Sequence, residues 1–181
     1  MGQRGAQAAF MPSKYVFPGG AVDAADTESN PEVVLHPRCN QRLRQNCPED
    51  APDPHAIATA ALRELWEETG LRLAPAPIGE HGLQFIFRAI TPPGRSRRFD
   101  ARFLLANATL VFGNQDDFSA ASDELSHLHW ISLTQARALD LPFITEVVLA
   151  EIGHLLRNGT NDAGVPFFDN SGPVPIFRRL A

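Results

Sequence analysis

Three glutamates, Glu64, Glu67 and Glu68, stand close together in the segment Arg63-Glu64-Leu65-Trp66-Glu67-Glu68-Thr69-Gly70-Leu71. On a helix, residues three and four positions apart are neighbours, so these carboxylates would repel one another by about 0.2–0.5 kcal/mol per pair. A hard divalent cation such as Mg²⁺ or Mn²⁺ prefers carboxylate oxygens as ligands and would relieve the repulsion. A solvated acidic face with Arg63 as its counterion is the other interpretation of the same residues.

The residues around these glutamates predict a helix with well-marked ends. Asp53 is suited to cap the N-terminus, Pro54 to occupy the first helical position, and Gly70 to follow the last turn. At about 100° per residue, the three glutamates share one face, and another face carries Ala58, Ala61, Leu62, Leu65 and Thr69. The sequence therefore predicts one packing face and a separate face that displays carboxylates.

Short strands are predicted on either side of this helix, and a second helix near the end of the chain. The strand-like runs are 14–20, which ends in Pro-Gly-Gly, 83–91 and 101–109, which flank the turn-rich residues 92–98, and 128–132. The runs on either side of residues 92–98 predict a hairpin. Apolar periodicity over 144–156 predicts the second helix, which ends near Asn158-Gly159.

Two segments carry no clear periodicity. Residues 23–54 are rich in proline and acidic side chains and predict a loop-like insertion, of a length that is unusual inside a compact domain. Residues 160–181 are polar and then spaced by prolines, which predicts a tail of coil packed on the surface. The chain as a whole, 1–181, has the length of a single domain.

The composition argues against several classes of protein. The 181 residues hold 16 Lys plus Arg against 21 Asp plus Glu, a net charge of −5, which disfavours a general nucleic-acid binder. Charges interrupt the apolar runs well before the ~18 residues of a membrane-spanning helix, and the start of the chain lacks the apolar core of a signal peptide. Cys39 and Cys47 lack further ligands for a zinc site and are expected to be free thiols. We therefore predict a cytoplasmic protein that binds neither nucleic acid nor membrane.

The order of residues around the glutamates resembles the box that defines the Nudix hydrolase family. In that family a glycine, five residues, a glutamate, seven residues and then Arg-Glu-aliphatic-x-Glu-Glu-x-Gly-aliphatic form a loop-helix-loop metal site. The second half is complete from Arg63 to Leu71, with nine consecutive positions in register. The preceding Phe17-Pro18-Gly19-Gly20 resembles the strand end whose backbone carbonyl, beside the glycine, binds metal in many members.

The first half of the box departs from the family pattern. Eight positions before Arg63 lies His55, where the family has glutamate, and about thirty residues separate Gly20 from that point. A subgroup similar to the mammalian peroxisomal coenzyme A diphosphatase carries an insertion at this place. The missing glutamate usually supports the helix arginine, and the insertion offers four acidic residues that could replace it: Asp23, Asp26, Glu49 and Asp50. For His55 itself we expect an exposed residue in the first turn of the helix.

The resemblance implies a Nudix-type α/β/α sandwich with a mixed sheet. It also implies hydrolysis of a nucleoside diphosphate linked to another moiety, with Mg²⁺ or Mn²⁺ as cofactor and coenzyme A or acyl-coenzyme A as a candidate substrate. The implied roles are metal binding by Glu64, Glu67, Glu68 and the Gly19 carbonyl, orientation of the carboxylates by Arg63, and base catalysis by Glu64 or Glu124.

Glu124 is named because of a second likeness to the family. The segment Asp123-Glu124-Leu125-Ser126-His127-Leu128-His129-Trp130 resembles a loop and the strand after it, in which an acidic residue before a tryptophan enters the metal site or acts as base. We expect Trp130 to be a core aromatic residue. We expect His127 and His129 to lie on the surface.

Arg95, Arg97 and Arg98 form the strongest basic cluster, within the predicted hairpin turn. Their planar guanidinium groups could bind a phosphate of the substrate through paired donors. A solvated hairpin tip is the competing interpretation.

Two further hypotheses concern the departures from the family. The loss of the first glutamate, at His55, motivates a non-catalytic Nudix module that binds a ligand or a partner. Relatives usually carry one or two strands before the position that Arg4-Gly5 resembles, so we expect that the chain lacks its first strands.

Overall fold

Pairs of strands and groups of helices follow one another along the chain in this computed structural model, which describes residues 1–28, 35–75, 82–159 and 163–181. The strands are β1 (Gly2–Arg4), β2 (Tyr15–Val16), β3 (Gln84–Ile90), β4 (Asp100–Leu105), β5 (Leu125–Ser126), β6 (Val165–Asp169) and β7 (Ile176–Leu180). The α-helices are α1 (Ala24–Glu28), α2 (Pro37–Leu43), α3 (Pro54–Thr69), α4 (Leu133–Ala136) and α5 (Phe143–Asn158), and a short 3₁₀ helix covers Ala108–Leu110.

The larger sheet has four strands in the order β4-β3-β6-β7. β3 pairs antiparallel with β4 and parallel with β6, and β7 is antiparallel to β6, so the sheet is mixed as expected. The hairpin predicted from the sequence joins β3 and β4. A smaller antiparallel sheet has the order β2-β1-β5.

Helices cover both faces of the larger sheet. Ile57 of α3 and Leu43 of α2 pack with Phe85 and Phe167 on one face. On the other face, Val148 of α5 belongs to the cluster that contains Phe87 and Ile86. This arrangement confirms the predicted α/β/α sandwich.

Helix α3 has the ends that the sequence indicates. The Asp53 side chain accepts a hydrogen bond from the His55 N–H at 2.9 Å, and Pro54 is the first helical residue. Gly70 adopts φ +73°, a left-handed conformation that favours glycine, and its N–H donates to the Trp66 carbonyl at 2.7 Å. Most of the first half of α3 is buried, and at its end Glu68 and Thr69 are buried while Glu67 is exposed.

The prediction that residues 23–54 form a loop is wrong in two places. Helix α1 and helix α2 both lie inside this segment, whereas residues 29–34 fall outside the described parts. Helix α2 starts at Pro37, and the His36 side chain accepts a hydrogen bond from the Arg38 N–H. Cys39 and Leu43 of α2 are buried in the core. Helices of five and seven residues are too short to show an apolar period, which explains why the sequence did not reveal them.

The prediction of coil for residues 160–181 is also wrong. β6 and β7 lie here, and β6 occupies an inner position of the larger sheet, between β3 and β7. Phe167 and Leu180 in these strands are almost completely buried. Proline in a run usually argues against an inner strand, yet Pro166 is the second residue of β6 and stands opposite Arg179 of β7. Residues 160–162 lie outside the described residues.

The strand expected at 128–132 is replaced by β5, which ends at Ser126. His127 adopts φ +51°, a left-handed conformation that a strand cannot contain, so the strand stops before it. β2 and β4 are shorter than the runs 14–20 and 101–109, whereas α5 agrees with the helix predicted at 144–156. In the part of the chain that is described, no helix is both long and apolar enough to cross a bilayer.

Candidate active site

Glu68 is the most deeply buried of the three glutamates. Only 1% of the residue is exposed, and its Oε2 accepts a hydrogen bond from the Gly19 N–H at 2.7 Å. Burial raises the pKa of Glu68 to about 7, the hydrogen bond from Gly19 opposes the shift, and the negative charges of Glu124 and Glu64 add to it. The expectation that all three glutamates lie on a solvent-facing side of the helix is therefore wrong for Glu68.

Glu64 lies against the backbone of the glycine pair. Its side chain is 13% exposed, and burial raises the pKa of its carboxyl group. A Cβ atom added to Gly20 would lie 2.2 Å from Glu64 Oε1, which is far inside the contact distance of two such atoms. The segment that follows β2 thus touches two carboxylates of α3, Glu68 through Gly19 and Glu64 through Gly20.

Glu67 lies at the exposed rim of the same turn of helix. Its side chain is 51% exposed, and Oε2 accepts a hydrogen bond from Arg63 Nη1 at 3.1 Å. Its backbone carbonyl accepts from the Ser122 N–H at 2.8 Å, which ties the loop before β5 to the end of α3. Glu67 is therefore held near the other two glutamates but faces water.

Arg63 is fixed by a carboxylate from the insertion. Its Nε and Nη2 donate to the two oxygens of Asp26 at 3.0 and 3.1 Å, and Nη2 also donates to the Ala21 carbonyl at 2.9 Å. Nη1 donates to Glu64 Oε1 at 2.7 Å. These contacts and charges raise the pKa of Arg63, and the hydrogen bonds from Arg63 hold the pKa of the buried Asp26 below its ordinary value.

Asp26 is thus the acidic residue of the insertion that supports the helix arginine. Asp23 is farther away, with its Oδ2 3.6 Å from Arg63 Nη2, and Glu49 and Asp50 are exposed. His55, which stands where the family has glutamate, lies in the first turn of α3 and is partly buried. The sequence offered Asp26 as one of four choices, and only the packing of α1 against α3 distinguishes it.

Glu124 lies in the loop before β5, which is joined to the end of α3. It directly precedes β5, its side chain is 53% exposed, and Oε1 accepts a hydrogen bond from Arg4 Nη2 at 3.2 Å. Two residues before Glu124, the Ser122 N–H donates to the Glu67 carbonyl at 2.8 Å, and the charge of Glu124 raises the pKa of both Glu64 and Glu68. Arg4 was not named from the sequence as a site residue, because β1 and β5 are far apart in the chain and no local sequence pattern predicts their pairing.

The arginine cluster lies on the surface of the hairpin turn. Arg95, Arg97 and Arg98 are exposed in the connection between β3 and β4, where Arg98 Nε donates to the Thr91 carbonyl at 3.2 Å. Within the described residues, no hydrogen bond or ion pair joins these arginines to the glutamates. Their part in substrate binding stays a prediction.

Trp130 is not the core aromatic residue that we expected. It is 50% exposed, and its indole Nε1 donates to the Gln115 carbonyl at 2.9 Å. His127 is exposed as expected, with Nδ1 3.4 Å from the Tyr15 hydroxyl oxygen, whereas His129 is partly buried.

The donor chemistry of the glutamate cluster fits a hard divalent cation. Over the described ranges, no three acidic, histidine or cysteine side chains converge as a preformed metal site. Glu64 and Glu67 turn to Arg63, and Glu68 turns to the Gly19 N–H. The carboxylates of Glu64 and Glu68 are nevertheless mostly buried, burial raises the pKa of both, and the charge of Glu64 adds to the rise at Glu68. Carboxylate oxygens are the ligands that Mg²⁺ and Mn²⁺ prefer, so these residues could hold such an ion.

Comparison with known proteins assigns the class. Residues 2–152 match the model of the NUDIX domain, and the chain belongs to the Nudix family. It is accordingly a hydrolase that acts on diphosphate bonds, and enzymes of this family act on small molecules and generally use Mg²⁺ or Mn²⁺.

A solved structure is also similar to this one. It is the crystal structure of a NUDIX hydrolase from Alicyclobacillus acidocaldarius, with 24% sequence identity, a TM-score of 0.49, and coverage of 82% of this chain and 80% of that chain. No match was found among curated proteins.

Proposed function

We propose that this chain hydrolyses nucleoside diphosphates linked to another moiety, that it needs Mg²⁺ or Mn²⁺, and that coenzyme A or an acyl derivative is its substrate. The observation that carries the proposal is the pair of buried carboxylates, Glu64 and Glu68, held against Gly19-Gly20. Burying two carboxylates side by side costs free energy, and such perturbed groups are typical of functional sites. A divalent cation, which prefers oxygen ligands, would offset this cost.

Four groups are assigned to metal binding. They are the carboxylates of Glu64, Glu67 and Glu68 and the backbone carbonyl of Gly19. When bound, the metal supplies positive charge to the diphosphate oxygens and lowers the pKa of the attacking water. Arg63 orients Glu64 and Glu67 through the hydrogen bonds from its Nη1, and Asp26 holds the other side of its guanidinium group.

The reaction is an attack by water on one phosphorus of the diphosphate. A new bond forms between the water oxygen and that phosphorus, the bond from phosphorus to the bridging oxygen breaks, and the bridging oxygen leaves with the second phosphate. The water proton passes to Glu64 or to Glu124. Each of these carboxylates already accepts a hydrogen bond from an arginine, Glu64 from Arg63 and Glu124 from Arg4.

Asp26 weakens the hypothesis of a non-catalytic module. That hypothesis was motivated by the absence of the first glutamate of the box, at His55. Asp26 gives Arg63 a buried carboxylate through two hydrogen bonds. A carboxylate supplied by the insertion can therefore do the work that the family assigns to the missing glutamate.

The choice of coenzyme A is supported by one feature of the sequence and one of the structure. The split box resembles the subgroup that contains a coenzyme A diphosphatase, and Arg95, Arg97 and Arg98 project into solvent from one connection. The adenosine end of coenzyme A carries a 3'-phosphate, and a charge-assisted contact with it would contribute about 1.5–3 kcal/mol. Replacing Arg97 and Arg98 together by alanine should then raise KM for coenzyme A far more than KM for dephospho-coenzyme A.

The proposal is tested by a substrate screen with Mg²⁺ and with Mn²⁺. The compounds are coenzyme A, dephospho-coenzyme A, ADP-ribose, nucleotide sugars and nucleoside triphosphates. We expect metal-dependent cleavage of coenzyme A to 3',5'-ADP and 4'-phosphopantetheine, and a loss of at least ~10²-fold in kcat in Glu68→Gln and in Glu67→Gln. Cleavage of ADP-ribose without cleavage of coenzyme A would reject the substrate, and no cleavage of any compound would reject the function.

A further inference from the structure

We propose that Arg4 is a positioning residue that fixes the carboxylate of Glu124 beside the glutamates of α3. This inference depends on the proposed function, because it gives Arg4 a part in the same hydrolysis. It adds a residue that lies outside the Nudix box.

The backbone of Arg4 is held on both of its sides. Arg4 is the last residue of β1 and stands opposite Leu125 of β5 in the antiparallel pairing. Its N–H donates to the Lys14 carbonyl at 3.0 Å, and its carbonyl accepts from the Ser13 N–H at 3.2 Å. Because Glu124 directly precedes Leu125, this register brings the two side chains together.

Glu124 needs a partner if it is to stay at the site. Its side chain is 53% exposed, and a half-exposed glutamate samples several rotamers. The negative charges of Glu64 and Glu68 also repel it towards water. The hydrogen bond from Arg4 Nη2 to Glu124 Oε1, at 3.2 Å, opposes both effects. Fixing a reacting group in advance is a recognised source of catalytic rate.

Stability alone does not account for the placement of Arg4. The arginine is 21% exposed, and its buried Nε has no hydrogen-bond partner among the described residues. A buried donor without a partner costs free energy, and an ion pair with a half-exposed glutamate returns little of it. Arg4 instead acts on the site in two ways: it holds the Glu124 carboxylate, and its positive charge lowers the pKa of Glu68.

The test is a double-mutant cycle on the full chain. The variants are Arg4→Ala, Arg4→Lys, Glu124→Gln and the double variant Arg4→Ala/Glu124→Gln. Lys14→Ala is the matched control, because Lys14 also lies in the N-terminal hairpin and pairs with an exposed carboxylate, that of Asp140, away from the glutamates. For each variant, kcat and KM are measured on the best substrate of the screen, and unfolding by urea is followed in parallel.

We expect Arg4→Ala to lower kcat by ~10-fold or more, with KM changed by less than ~3-fold, and Arg4→Lys to recover most of the loss. In the Glu124→Gln background, Arg4→Ala should alter kcat by less than ~2-fold, because the carboxylate that Arg4 positions is already absent. Lys14→Ala should keep the kcat of the parent. Equal losses from Arg4→Ala in both backgrounds, or a loss in KM alone, would overturn the inference.

Two results separate this inference from the proposed function. If Glu124→Gln keeps the parental kcat, Arg4 has no base to position, whereas hydrolysis with Glu64 as base still stands. If the parent cleaves nothing, the proposed function fails, and the pairing is judged by nitrogen-15 NMR of the Arg4 guanidinium group. Hindered rotation about Nε–Cζ in the parent and freer rotation in Glu124→Gln would support the pairing, and free rotation in the parent would contradict it.

Discussion

At Gly20, the addition of one carbon atom should separate activity from stability. An alanine Cβ there would meet the Glu64 carboxylate at 2.2 Å, and the end of a glutamate side chain can move aside at small cost to the fold. We expect Gly20→Ala to lower kcat by ~10-fold or more, because Glu64 leaves its place beside Arg63 and Glu68. The free energy of unfolding should change by less than ~1 kcal/mol.

The control for this prediction is Gly172→Ala. A Cβ on Gly172 would meet no atom within 4 Å, and this turn between β6 and β7 lies outside the candidate site. Its kcat should match that of the parent. A parental kcat in Gly20→Ala as well would mean that Glu64 does not need its present position.

Glu68 should make the metal-free protein less stable as the pH rises. Burial places the pKa of Glu68 at about 7 in the folded state, against an ordinary value of 4.5. Between these values the folded state binds more protons than the unfolded state, so the free energy of unfolding falls as the pH rises through this window. The shift corresponds to at most about 3 kcal/mol, measured by urea unfolding in the presence of a chelator.

The Glu68→Gln variant has no such carboxyl group. Its stability should be flatter from pH 4.5 to 7, and at pH 8 the metal-free variant should be more stable than the metal-free parent. Mg²⁺ should stabilise the parent at pH 8 and leave the variant nearly unchanged. A parental pH dependence in Glu68→Gln would assign the effect to another group.

At the scale of elements, helix α1 is predicted to act on the site through Asp26. Asp26→Asn puts an amide N–H₂ beside the Arg63 guanidinium and removes the charge that it faces. We expect kcat to fall by ~10-fold or more and stability to fall by about 1–3 kcal/mol, because a buried charge-assisted contact is lost.

Asp23→Asn is the matched control for α1. Asp23 is 66% exposed and 3.6 Å from the same arginine, so its removal should change kcat by less than ~2-fold. Equal effects of the two substitutions would show that the total negative charge near Arg63 matters, and that the placement of Asp26 does not. Partial recovery in Asp26→Glu would support the placement.

The sequence predicted those elements whose caps and residue spacing lie within one short segment of the chain. The cap at Asp53, the glycine at Gly70 and the spacing of the glutamates are all local, and α3 was predicted with its ends. The choice of Asp26 and the approach of Arg4 to Glu124 depend on contacts 37 and 120 residues apart. No local pattern encodes such contacts, because they follow from how the strands and helices pack.

At the scale of the whole molecule, the last strands are predicted to hold the larger sheet together. Phe167 of β6 is 1% exposed, packs with Phe85 and Ile57, and lies under the Arg88 guanidinium at 4.4 Å. Phe167→Ala should lower the free energy of unfolding by about 3–5 kcal/mol, measured in urea. Phe177→Ala removes the same atoms from β7, where the ring is 60% exposed, and should cost less than ~1 kcal/mol. Similar losses in both variants would place the core elsewhere.

The separation of Asp26 from Arg63 also has a consequence for the order of events during folding. Glu64 and Glu67 are neighbours of Arg63 on one helix and can meet it as soon as that helix forms. Asp26 can meet Arg63 only after the loop between them, which spans 37 positions, has closed. The loss of chain entropy makes this closure cost about 1 kcal/mol more free energy than the closure of a loop of about eight residues. During refolding, the helical signal should therefore recover before hydrolysis, and the delay should lengthen if residues are inserted between α1 and α2.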